Sequence, residues 1–190
     1  MDRYLRYGLP LFAVWIIATR IISLIYLVFK GYPNLVMYVY YYIGLSIIAG
    51  LLAVVAGIVI LVEISGKGWD MKRIAMMFLG LTLILVGAYN MLFHAFFNIL
   101  IPGMSLSAGS QTVVGWILNV FRGLHGIAAL LILVSLQEEG SVAKIGLFLY
   151  GIVTIAGIAF HYFGMEGNPG IGLILALLGV LAGLLILKRR

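Results

Sequence analysis

Phe93-His94-Ala95-Phe96 and Phe160-His161-Tyr162-Phe163 repeat one pattern, an imidazole between phenylalanines near the end of a long apolar run. Neutral imidazoles from two facing helices can supply both axial ligands of a haem iron, and helix-bundle cores are common cofactor sites. Gly87 lies seven residues before His94 and Gly157 four before His161. Both fall on the histidine faces, where a flat macrocycle needs close approach to the backbone. His94 and His161 are therefore candidate metal ligands for one haem b, with Arg20 and Arg122 as candidate partners for its propionates. A plainer reading stays open: histidines among aromatics at the end of an apolar run also describe an interfacial aromatic belt. Zinc is disfavoured, because the third histidine, His125, falls nearer mid-membrane and no carboxylate lies nearby to complete a site.

A second set of residues is cationic. Asn119, Arg122 and His125 recur at three-residue steps, and Asn90, His94 and Asn98 at four-residue steps, so each set forms one polar stripe on a helix. Thr19, Arg20 and Ser23 add a third patch, and Thr154 shares the face of His161. Converging, these faces would line a polar cavity of positive charge. A charge deep in hydrocarbon costs about 2.5 to 3.5 kcal/mol on insertion scales, so Arg20 and Arg122 must find carbonyls, amide side chains, water, lipid phosphate or an anionic ligand. A proton relay is disfavoured, since arginine does not titrate and the apolar runs hold no Asp or Glu. No phosphate-binding glycine loop, acidic metal cluster or intramembrane nucleophile motif is present.

The elements that must position these groups are membrane helices. Of 190 residues, 64% are hydrophobic and only 9% charged, which no soluble domain of this size shows. Apolar runs at 8–29, 36–62, 74–101, 113–136, 145–163 and 171–187 each approach the roughly 20 residues a span needs. The expected fold is an all-α, six-helix transmembrane bundle forming one polytopic domain over 1–190. Pro10 suits the first turn of helix one, Pro102 and Gly103 stop helix three, and Pro33, Pro102 and Pro169 fall in loops. With no cysteine, disulfides, thiolate metal sites and thiol redox chemistry are excluded.

Arg3, Arg6, Lys67, Lys72, Arg73, Lys144, Lys188, Arg189 and Arg190 flank one side of these spans, Lys30 alone the other. Both termini are therefore expected in the cytoplasm, in a cell membrane. The surplus of 12 Lys and Arg over 6 Asp and Glu follows from that topology and not from nucleic acid. Tyr38, Tyr40, Tyr41 and Tyr42 suit the opposite interface. Small residues at Ala49, Ala53 and Gly57, and at Gly172, Ala176, Gly179 and Gly183, read as helix-packing seams.

The segments 73–80 and 144–151 match in size and polarity, and each leads to a Phe-His-x-Phe tetrad, 21 and 17 residues from basic residue to histidine. That suggests two parallel hairpins, helices two and three and helices four and five, as a four-helix core with two added helices. At about 1.5 Å per residue both histidines reach the outer leaflet. Three functions fit: a haem-bearing electron-transfer subunit of a respiratory or other energy-transducing complex, an accessory subunit among other membrane-protein subunits, or a small-solute or anion transporter. The first is favoured on the paired histidines.

Overall fold

The structure, a computed structural model, describes residues 6–29, 36–65, 70–95, 108–135, 141–165 and 168–188, excluding the side chains of 36–41, 94–95, 108–112, 114, 118, 135 and 141. Six helices follow in order: α1 (Gly8–Phe29), α2 (Val36–Ile64), α3 (Met71–Ala95), α4 (Ala108–Ser135), α5 (Ser141–Tyr162) and α6 (Pro169–Leu187). Each is long and apolar enough to cross a membrane, and the chain is a multi-pass membrane protein. Leu173, Leu177, Leu181 and Leu184 on α6, like Ile145, Phe148, Ile152 and Ile155 on α5, point outward at three- and four-residue steps and form the lipid-facing surface.

Several helix ends differ from the apolar runs because polar residues extend them. Pro169 opens α6 instead of lying in a loop: Asn168 caps the helix, its side chain accepting from the Gly170 and Ile171 N–H groups, and a proline in the first turn loses no bond. Asp70 does the same for α3, accepting from the Arg73 N–H at 2.6 Å. α2 runs on to Ile64, which brings Glu63 to the start of α1, where its carboxylate accepts from Tyr7 N at 2.7 Å and Gly8 N at 2.9 Å. α5 closes in a Schellman turn, with Gly164 at φ 69°, the Met165 N–H donating to Phe160 O and the Gly164 N–H to His161 O. The expected stop at Pro102 and Gly103, Asn98 and the side chains of Tyr38, Tyr40 and Tyr41 lie outside the described residues.

The helices stand in a ring in chain order. Each packs chiefly on its sequence neighbours, and α6 packs back on α1, so α1 and α6 stand between α5 and α2 and close the ring. Four crossings share one geometry. A Cβ added to Gly57 of α2 would meet Gly80 O at 2.5 Å and Ile84 Cγ1 at 2.8 Å on α3. One added to Gly126 of α4 would meet Gly151 O at 3.3 Å and Ile155 Cγ1 at 3.4 Å on α5. One added to Gly183 of α6 would meet Ala13 O at 3.0 Å and Ile17 Cγ1 at 2.6 Å on α1. In the first three a glycine on an even-numbered helix faces the carbonyl of a small residue on an odd-numbered one and an isoleucine four residues beyond it. In the fourth, a Cβ added to Gly146 of α5 would meet Ala182 O and Ile186 Cγ1 of α6, both at 2.8 Å, in the opposite sense. Lipid supplies no hydrophobic drive between helices, so such backbone approach is what holds the pairs.

The bundle is packed unequally along its axis. Its large, fully buried side chains, among them Leu9, Ile16, Ile60, Met76, Leu79, Leu83, Ile132, Leu147 and Ile186, gather in the half where α1 begins and α6 ends. The other half holds a cavity.

Candidate functional site

Arg20 comes from the middle of α1, and its room is made by α6. A Cβ on Gly179 would lie 2.6 Å from Arg20 Nε and 2.7 Å from its Cγ, so the arginine stem runs across the bare backbone at that glycine. Gly179 is thus more than a packing residue: only glycine leaves the stem its path. The Thr19 hydroxyl donates to Trp15 O and Ile16 O, and the Ser23 hydroxyl to Thr19 O, which satisfies both within α1.

Arg122 and Asn119 come from α4, with Arg122 Nη1 donating to Asn119 Oδ1 at 3.5 Å. Asn119 is buried while Arg122 is exposed. A helix turns about 100° per residue, so Arg122 is rotated roughly 200° from the outward-facing Val120. Its accessible surface therefore belongs to the cavity and not to the lipid side marked by Trp116, Val120 and Ile127.

These two arginines share a cavity of about 300 Å³. Asn90 of α3 and Thr154 and His161 of α5 complete its walls, with Thr19, Ser23 and Asn119. Among the described residues, no Asp or Glu lines it. Arg20 and Arg122 are near enough for their charges to interact. The polar stripes read from sequence on α1 and α4 thus meet around one space with Asn90, the one member of the α3 stripe whose side chain is described.

The floor is aromatic. Phe12 stacks on Trp15 at 5.9 Å between ring centroids and meets Tyr150 edge-on at 5.1 Å, and Trp15 meets His125 edge-on at 5.6 Å. Trp15 is 7% exposed and His125 1%. Their Trp15 Nε1 and His125 Nε2 atoms find no hydrogen-bond partner among the described residues. His125 is hydrogen-bonded to the Thr82 backbone. The Thr82 N–H is spent within α3, so this bond goes to its carbonyl, Nδ1 carries the proton and Nε2 is left as an acceptor. Sequence reasoning passed over Trp15 and Tyr150, which resemble ordinary apolar residues, and placed His125 on a stripe without giving it a role.

The recurring crossing supplies a common register. Ten residues beyond Ala13, Gly80 and Gly151 come Ser23, Asn90 and His161, and all three line the cavity. His161 therefore corresponds in this register to Asn90, while His94 is four residues, about 6 Å of helix, further along α3. The His94 side chain lies outside the described residues. On the even-numbered helices, the positions seven, four and one before the crossing glycine are Gly50, Ala53 and Ala56 in α2, and Ala176, Gly179 and Ala182 in α6. In α4 they are Asn119, Arg122 and His125. The helix that departs from small residues is the one that furnishes the site. The chain matches no protein-family model, no curated protein and no solved structure.

Proposed function

We propose that this protein binds a small anionic solute within the membrane and carries it across, alone or as a subunit of a larger assembly. The observation that carries the reading is the pairing of Arg20 and Arg122 in one cavity with no carboxylate among its described lining residues. Two guanidinium groups in a low-dielectric site need a compensating charge, and an anion held by charge-assisted hydrogen bonds supplies it. The volume falls at the small end of the range for small-molecule sites. The basic residues at the ends of the spans favour a cell membrane with both termini in the cytoplasm, so that the cavity faces outward.

Haem ligation by His94 and His161 draws less support, because in the crossing register the residue that corresponds to His161 is Asn90, four residues before His94. The related hairpins read from sequence draw more. We infer that α2–α3 and α4–α5 are copies of one unit, and the same crossing between α6 and α1 extends the relation to a third pair.

The test is binding to purified, delipidated protein. Short-chain carboxylates should bind and compete with one another, and both Arg20→Gln and Arg122→Gln should weaken them. An absence of binding, with anionic phospholipid retained in proportion to protein, would assign the arginines to lipid headgroups and overturn the reading.

A further inference from the structure

The arginines account for a negative charge on the ligand, but not for the two orphaned nitrogens beneath them. Trp15 Nε1 is a donor and His125 Nε2 an acceptor, each covered by its neighbours and carried on a side chain, more than nine-tenths buried, that lines the same cavity. A buried polar atom without a partner costs about 1 to 3 kcal/mol, and one group that both donates and accepts would satisfy the pair. Hydroxyl and carboxamide groups have that capacity. Trp15 lies five residues, about 7.5 Å of helix, below Arg20, and His125 three residues, about 4.5 Å, below Arg122. The charged and neutral recognition groups are therefore separated along the cavity axis.

We propose that the floor is a second, neutral subsite, and that the ligand is a bifunctional organic acid. Its carboxylate meets Arg20 and Arg122 while an uncharged hydroxyl or carboxamide, several bonds away, accepts from Trp15 Nε1 and donates to His125 Nε2. An inorganic anion fills only the upper half. A zwitterion is rejected, because an ammonium group on the floor would face no carboxylate among the lining residues. This rests on the anion reading and specifies its substrate class.

The experiment compares γ-hydroxybutyrate with pentanoate, which replaces the hydroxyl by a methyl of similar size, and with γ-aminobutyrate, by calorimetry on the full chain in detergent. Wild-type protein should bind γ-hydroxybutyrate about tenfold more tightly than pentanoate, the order expected for a satisfied buried hydrogen bond, and γ-aminobutyrate more weakly than either. Trp15→Phe keeps a ring on Phe12 but removes the N–H, and should abolish the preference, bringing γ-hydroxybutyrate and pentanoate to one affinity. Equal affinity for the hydroxylated and methyl acids, or strong binding of γ-aminobutyrate, would overturn the neutral subsite and leave the anion site standing. Failure of every acid to bind would overturn both. The wild-type comparison decides by itself if the variant does not fold.

Discussion

Arg20 and Gly179 are one device built from two helices: the arginine stem occupies the space that any side chain at 179 would take. Gly179→Ala should therefore displace the guanidinium and weaken anion binding by about tenfold, since loss of one charge-assisted contact is worth more than 1 kcal/mol. Gly172→Ala, where the new Cβ would meet only the flexible end of Leu27 at 3.3 Å, is the control and should leave binding unchanged. Affinities measured side by side check this.

Arg122→Leu should remove binding from a protein that still folds. The substitution relieves an insertion cost of about 2.5 to 3.5 kcal/mol, so thermal stability should hold or rise while affinity falls. Retained affinity in the leucine variant would show that Arg20 suffices and that Arg122 serves only Asn119.

The crossings predict a graded response to added methyl groups. Gly57→Ala drives a Cβ into Gly80 O, a backbone atom that cannot yield, and should cost about 1 to 3 kcal/mol. Gly126→Ala, with its nearest contact at 3.3 Å, should cost less. Gly44→Ala meets nothing within 4 Å and should stabilise α2 by about 0.5 to 1 kcal/mol. Unfolding midpoints in one detergent give the order.

Glu63→Ala should destabilise the start of α1 by about 0.5 to 2 kcal/mol, because it removes both acceptors from Tyr7 N and Gly8 N at a helix N-terminus. Hydrogen exchange should rise first at the opening turn of α1. Unchanged exchange there would reduce the carboxylate to a surface contact.

Since the chain has no cysteine, single introduced cysteines report topology directly. Met165→Cys, just past α5, should be labelled by an impermeant reagent from outside intact cells, and Ser65→Cys, just past α2, only after permeabilisation. The reverse pattern would invert the orientation and turn the cavity toward the cytoplasm.

What could be read in the sequence was whatever a single helix carries alone. The six spans follow from apolar length, and the stripe of Asn119, Arg122 and His125 follows from spacing. The ring order does not, because closure by Gly183 on Ala13 is a relation between the first helix and the last. The match between 73–80 and 144–151 located a register, but counting to the nearest histidine paired His94 with His161. The glycine crossings keep that match, Gly80 with Gly151, and in it Asn90 corresponds to His161. Glu63 escaped notice because it lies just beyond its apolar run, and Trp15 because its orphaned N–H becomes visible only once Phe12, Tyr150 and His125 surround it.

The unequal packing along the axis makes the cavity a dead end. Below Trp15 and His125, Leu9, Ile60, Met76 and Leu79 fill the bundle with apolar side chains. A solute at the arginines can return only by the way it entered, and stepping forward requires several well-packed helices to part together. Passive conduction through this conformation is therefore closed to ions, and any passage is coupled to a second arrangement of the ring in which the apolar plug opens and the mouth shuts.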